Sequence, residues 1–426
     1  MADIEALNAV AAANIEAVNG VAKANIETIN GVGIGGLVAA AYWVVGFHGS
    51  KTSWAAAADI ADVTVWEANK WTTHGDGGST AIIDVAYGKD SSGNPIFVAI
   101  ANSTGNNTWV DGNNDITDDS SWTRIQLPTG GQIQRETIQW GNDVWVAAGR
   151  VTTTDVVDIH RSTNGITSWS TVDVSGLTNI TDDPDFDITA LASDGAGNWM
   201  FGQKENLYFS SDDAASWAFL VQPAGTGHEI RDIVFTNNTW VVLFDGDYHD
   251  NSDPNDATPD GIPDQDAYVI TCPASTSANM DATGDWGTAQ KLEAVNLVDA
   301  AGNSTTPTTH LNGVTTRRMA AAGGRVVFLQ CGAVPNGRTL AADVSGKTCT
   351  LEDTVVILPF TEGNVNCIAT DGITWLVGGD GGNTAADGGE ICRSTDGGDT
   401  WTLIVNAIQS ATYKVEGIAP SVYLPL

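Results

Sequence analysis

One pattern recurs along this chain: an apolar strand, a short Gly/Asn/Asp turn, and a second strand with an early aromatic or branched residue. It constrains the fold more than any other feature. The copies are "GGLVAAAYWVVG" around Trp43, "IIDVAYGKDSSGNPIFVAI" around Phe97, "ETIQWGNDVWVAAG" around Trp145, "ITALASDGAGNWMFG" around Trp199, "IRDIVFTNNTWVVLF" around Trp240, "RRMAAAGGRVVFLQ" around Val326 and "VNCIATDGITWLVGG" around Trp375. Successive marks lie 54, 48, 54, 41, 86 and 49 residues apart, so all but one interval suit a unit of four short strands. Such a unit cannot bury its apolar faces alone and must stack on its neighbours.

A second element recurs downstream of the inner strands. "RSTDGGDTW" (Arg393 to Trp401) has tight-turn chemistry: Asp396 can accept backbone N–H groups ahead of it, Gly397 and Gly398 can take positive φ, and Trp401 re-enters a strand with its ring free to pack. "STNGITSW" (Ser162 to Trp169) and "SSDDAASW" (Ser210 to Trp217) occupy the same place in their copies. "DATGDW" ending at Trp286 and "TDDSSW" ending at Trp122 are degraded versions.

These residues resemble the Asp-box, or BNR repeat, S-x-D-x-G-x-T-W of sialidase-like β-propellers. Ser394, Asp396, Gly398 and Trp401 match it throughout; Ser210, Asp212 and Trp217 match with Ala214 in place of Gly; Ser162, Asn164 and Trp169 match with Asn164 in place of Asp and Ile166 in place of Gly. The resemblance implies a structural turn between the outer two strands of a blade, away from the central channel. Asp396 is then a mark of the fold and not a catalytic acid. The tail "YKVEGIAPSVYLPL" reads as the opening of a further copy, which would complete the first blade and leave no exposed edge. The expected fold is all-β: a seven-bladed β-propeller over residues 34–426, with a short α-helical extension over 1–33.

Composition narrows the partners. The chain carries 52 acidic and 18 basic residues, a net charge of -34, with no Lys/Arg cluster to hold phosphates. Nucleic acid is excluded as a partner, and anionic membrane surfaces are disfavoured. "GLVAAAYWVVGF" is too short to span a bilayer, so no membrane insertion is expected. The N-terminus lacks a basic segment followed by an apolar core, so no signal peptide is expected. Cys272, Cys331, Cys349, Cys367 and Cys392 are odd in number without C-x-x-C spacing, which favours buried free thiols over a disulfide framework or a zinc site.

Two segments depart from the repeat. The long interval of 86 residues contains "FDGDYHDNSDPNDATPDGIPDQDAY" (244–268), whose carboxylates repel one another unless cations neutralise them. Within it "DATPDGIPDQD" resembles the calcium loops of thrombospondin type 3-like repeats. That resemblance places Asp256, Asp260 and Asp264 at loop positions 1, 5 and 9. Position 3 is Thr258, and Asp266 falls one place early for the closing ligand, so the segment reads either as a Ca²⁺ site or as a solvated acidic loop. No other cofactor is expected.

The second departure is the start of the chain. Ile4, Ile15 and Ile26, with Leu7, Val18 and Ile29, recur every eleven residues, a helical stripe with Asn19 and Gly20 as its weak points. The repeat A-N-I-E-x-[VI]-N-G-V resembles segments of virion structural proteins of marine tailed phages. The resemblance implies attachment to other virion proteins or to copies of the same chain; the alternative is a helix packed on its own propeller.

Catalytic signatures are absent. The early R-I-P segment of sialidases is missing, and a Tyr–Glu nucleophile pair is hard to place. "SGKT" (Ser345 to Thr348) has Ala341 where a phosphate loop needs Gly, and "GVGIGG" (Gly31 to Gly36) does not follow a strand. No G-x-S-x-G or H-E-x-x-H spacing occurs. The expected function is therefore a non-enzymatic virion structural protein, made in the host cytoplasm and displayed on the virion surface. The alternatives are a binding module for host-surface glycans and a sialidase-like hydrolase.

Overall fold

The computed structural model describes residues 17–18, 21–22, 28–29 and 32–33, then the strands and most connections from 42 to 421. The longest stretches outside the described residues are 1–16, 34–41, 72–80 and 245–266.

Seven sheets, antiparallel apart from one added pairing in the sixth, form the blades of a β-propeller. Blade 1 runs outward from Val415–Pro420 through Tyr42–Phe47 and Lys51–Ala56 to Lys70–Trp71. The C-terminal strand is thus the innermost strand of the first blade, as the tail's likeness to a repeat opening led us to expect. Ser421 N donates to Tyr42 O at 2.8 Å and fastens the closure. The inner strands of blades 2 to 7 are Ala81–Lys89, Ile133–Gly141, Ala190–Ser193, Ile230–Thr236, Thr316–Ala322 and Asn364–Thr370, the last with the two-residue strand Gly332–Ala333 paired on its inner edge.

The core is divided as the ring requires. The buried apolar residues of the described chain form seven separate layers, one between each adjacent pair of blades. The repeat marks Trp43, Trp145, Trp199 and Trp240 fill these layers and are at most 1% exposed. Close stacking requires glycine on some second strands. A Cβ at Gly46 would lie 2.3 Å from Ile82 Cγ2, and one at Gly202 would lie 2.4 Å from Ile230 Cγ2. In both cases the next blade's inner strand occupies the space.

Blade 6 corrects one expectation. Its sheet has six strands, because a hairpin of Glu293–Val298 and Ser304–His310 adds to the outer edge, the first of these parallel to Thr348–Ile357. The long interval before Val326 therefore has two sources, the acidic insert and this hairpin. Blade 6 also turns from its third to its fourth strand through a tight hairpin, Ser345 pairing Thr348, without a Ser–Asp–Trp turn.

The helix expected over residues 1–33 is corrected where the backbone is described. Ala17–Val18 pairs with Val21–Ala22, and Thr28–Ile29 pairs with Val32–Gly33. Each pair closes over Asn-Gly, the dipeptide whose φ > 0 preference suits a two-residue hairpin and opposes a helix. Val18 and Ile29 lie in these strands; Ile4, Leu7, Ile15 and Ile26 lie outside the described residues, as do Asp256, Asp260, Asp264 and Asp266. Among the described residues, no helix is long and apolar enough to cross a membrane. The five cysteines are free, and all but Cys331 are buried.

Candidate functional site

The three Ser-led turns lie between the third and fourth strands of blades 3, 4 and 7, at the outside of the ring. In blade 7, Ser394 Oγ donates to Asp396 Oδ1 at 2.7 Å and accepts Gly398 N at 2.9 Å. Asp396 accepts Thr400 N at 3.0 Å and the Thr400 hydroxyl, while Trp401 Nε1 donates to Gly398 O at 3.0 Å. Blade 4 repeats this with Ser210, Asp212, Ala214 N and Ser216. In blade 3, Asn164 Oδ1 accepts Thr167 N at 2.9 Å, and Trp169 Nε1 donates to Gly165 O at 3.3 Å. In blades 3 and 7 the turn also takes up its Trp Nε1–H, whereas Trp217 Nε1 in blade 4 is buried without a partner among the described residues; in all three turns the Asp or Asn oxygen is engaged by the turn's own donors.

Two arginines tie these turns to the preceding blade. Arg161 Nε donates to Asp213 O at 2.7 Å, and Arg325 Nε donates to Gly397 O at 3.2 Å. Arg325 also pairs with Asp343, Glu352 and Asp399. The turns are therefore joints between blades.

The chemistry-bearing cluster lies elsewhere, in the central channel. Strand registers identify which inner residues share a level. Gly417 pairs Gly46, Asp84 pairs Ile100, Thr137 pairs Ala148 and Ala190 pairs Gly202. Asp232 pairs Leu243, Arg318 pairs Leu329 and Cys367 pairs Gly378. In every blade the second-strand partner lies three residues after the repeat mark, so these seven residues are equivalent. In six blades, all but blade 4, the inner strand is bulged immediately before that residue. Bulges re-aim side chains and concentrate beside binding sites.

Asp84, Thr137, Asp232, Arg318 and Cys367 line a channel cavity of about 250 Å³, together with Glu416, the bulged residue of blade 1. The two aspartates are stapled alike. Asp84 accepts Val85 N at 2.9 Å, Ile138 N at 3.1 Å and Thr137 Oγ1 at 3.2 Å. Asp232 accepts Ile233 N at 2.9 Å and Met319 N at 2.6 Å. Each carboxylate thus bonds its own strand through one oxygen and the next blade through the other.

Burial dominates the acidities here. It pushes Asp84 above the usual carboxylate range despite Arg318 and the N–H donors. It carries Asp232 up to about 7 against the same opposing influences. Glu416 also rises to about 7 through burial, with Lys414 opposing and Asp380 assisting. Burial works against the charge of Arg318, but Asp232 and Asp84 outweigh it and raise its pKa. Burial holds the Cys367 thiol well above its ordinary value, which suits a packed thiol and not a nucleophile.

The sequence-predicted turn residues and this cluster do not meet. Sequence reading passed over Asp84, Asp232, Arg318 and Glu416, because each stands alone in its local stretch. The available signal was their shared register once the seven inner strands are aligned.

No family model matches the chain, and no curated protein matches it. Among solved structures it is similar to YCF48 bound to a D1 peptide, at 13% identity over 77% of this chain and 82% of that one, with a TM-score of 0.44. It is similar to YCF48 from Cyanidioschyzon merolae at 12% identity, covering 78% and 88%, with a TM-score of 0.40. It is also similar to the GH74 xyloglucanase from Xanthomonas campestris at 13% identity and a TM-score of 0.37, covering 85% of this chain but 43% of that one. Likeness of this degree concerns the fold alone. The chain is a seven-bladed β-propeller with neighbours among the YCF48 and GH74 propellers.

Proposed function

We propose that this chain is a non-enzymatic structural protein of a tailed-phage virion, a propeller displayed on the virion surface and held through residues 1–33. One observation carries the non-enzymatic part: of the three cavity carboxyls, Asp84 and Asp232 have both oxygens occupied by backbone or hydroxyl donors of two adjacent blades, which leaves Glu416 without a second free carboxylate to work with. A general acid or nucleophile must present an oxygen to its substrate. These carboxylates join blades instead. Arg318 is the single arginine lining the channel among the described residues, where a sialidase needs three.

The virion part is supported by the eleven-residue repeat's resemblance to phage structural segments. An acidic surface poor in Lys also suits solubility in salt, which screens its self-repulsion. In this reading the Ser–Asp–Trp turns are Asp-boxes, and residues 1–33 bind other virion proteins or further copies of the chain. Asp256, Asp260, Asp264 and Asp266 hold Ca²⁺, and nucleic acid and membranes are not partners. Light scattering of the full chain against residues 34–426 tests the attachment. An oligomer that becomes a folded monomer on truncation supports it; monomers in both cases exclude self-association and leave a foreign virion partner to be sought by pull-down from phage lysate components. Turnover of fluorogenic glycosides would refute the non-enzymatic part.

A second reading, binding of host-surface glycans, is favoured by the channel cavity and is taken up below.

A further inference from the structure

We propose that the channel cavity binds one neutral polyhydroxylated ring, a single saccharide unit or a cyclic polyol, with Arg318 and Glu416 as its hydrogen-bonding residues. This deepens the glycan-binding reading and does not rest on the virion reading.

Two side chains lining the cavity make no hydrogen bond among the described residues, though neighbouring charges act on both. Among the described residues, Arg318 makes no hydrogen bond and no ion pair within 4.0 Å, although Asp232 and Asp84 act on its charge. Those two carboxylates are bonded to blade N–H groups. The guanidinium therefore presents its fork of donors to the cavity and not to the protein. Glu416, the bulged residue of blade 1, with only blade 7 between its blade and that of Arg318, also makes no hydrogen bond among the described residues. A carboxyl that titrates near neutrality can both accept and donate. The cavity thus asks for acceptors at Arg318 and for either partner at Glu416, which a set of adjacent hydroxyls supplies.

Charge excludes the simpler ligands. An anion on Arg318 would face Asp84 and the partly ionised Asp232 and Glu416 inside a chain of net charge -34. An organic cation would face Arg318 itself. Among the described residues, no group of three or more His, Cys, Asp and Glu could hold a metal ion. A neutral ligand avoids each penalty.

Size and lining agree. The cavity of about 250 Å³ falls below the roughly 300–1,000 Å³ of drug-sized sites, so it admits one ring and no chain. The partly exposed side chains of Tyr87, Val234 and Ile368 line it as well and offer apolar surface to the C–H faces of a ring.

Saturation-transfer NMR on the full chain, with methyl hexopyranosides, methyl pentopyranosides and inositol as probes, tests the proposal. At least one probe should bind saturably. Arg318→Met and Glu416→Leu, each folded by circular dichroism, should each weaken it about tenfold or more, whereas Glu416→Gln, whose amide also accepts and donates, should keep most of the binding. Should Arg318→Met fail to fold, the contrast between Glu416→Leu and Glu416→Gln decides alone. A trisaccharide ending in the bound sugar separates the sources: undiminished affinity assigns the site to a glycan terminus, and lost affinity assigns it to the free sugar. The proposal is overturned if no probe binds, if binding survives both Arg318→Met and Glu416→Leu, or if citrate or spermidine binds in place of every neutral probe. None of these outcomes bears on the truncation experiment, so the two readings fail separately.

Discussion

Asp396 and Asp232 are the same side chain in two parts of one propeller, and their acidities part in opposite directions. At the outer turn, burial raises the pKa of Asp396, but the Thr400 and Ser394 hydroxyls and the Thr400 N–H outweigh it and leave the carboxyl below its ordinary value. In the channel, burial wins over Arg318 and two N–H donors and holds Asp232 at about 7. Asp212 behaves as Asp396 does, and Asp84 and Glu416 behave as Asp232 does. Hydrogen bonds of similar length thus fix a charged carboxylate near solvent and fail to do so in the channel. The turn is built to stay ionised, whereas the channel titrates where a ligand would meet it.

The largest expected effect lies at the turn. Trp401→Ala removes a ring that is 3% exposed and packs between blades 6 and 7, and should cost about 3–5 kcal/mol in chemical denaturation. Asp396→Ala should cost less, about 1–3 kcal/mol, because it leaves Thr400 N and two hydroxyls without their acceptor near solvent. That cost should be the same at pH 5 and pH 8, since Asp396 is ionised at both. A cost that vanished at the lower pH would erase the contrast with the channel.

The channel should show the reverse dependence. A carboxyl with a raised folded-state pKa binds more protons folded than unfolded. Its contribution to stability is fully present at low pH and is lost as pH climbs from the unfolded value of about 4 to the folded value. For Asp232 and Glu416 that loss extends to about 7. The smallest predicted effect is that of Glu416→Gln, which keeps the shape and removes the titration; it should leave stability near pH 5 almost unchanged and make the decline toward pH 8 shallower. An unchanged slope would show that Glu416 does not titrate in that range.

The two regions also differed in how legible they were. The Ser394, Asp396, Gly398 and Trp401 pattern is local, and a turn that bonds within itself leaves its mark in eight consecutive residues. The repeat marks, the ring closure by Val415–Pro420 and the seven blades followed from the same kind of pattern. The added hairpin of blade 6 was hidden because "STTPTTH" has no apolar alternation and includes a proline. At the N-terminus, Asn-Gly at Asn19-Gly20 and Asn30-Gly31 outweighed the eleven-residue stripe in the described residues. The channel was illegible for a deeper reason. Asp84, Asp232, Arg318 and Glu416 lie tens of residues or more apart, and only the register of seven separate sheets brings them to one cavity.

The contrast between turn and channel is tested most directly by the melting temperature of the wild type and of an Asp232→Asn, Glu416→Gln variant from about pH 5 to about pH 8. Ordinary surface carboxylates are already ionised throughout this window, and the six histidines are common to both proteins, so the difference between the two slopes reports Asp232 and Glu416. The melting temperature of the wild type should fall more steeply as pH rises than that of the variant, which keeps only Asp84 and the histidines to titrate there. Parallel profiles for the two proteins would contradict the assignment of the channel as the titrating region of this propeller.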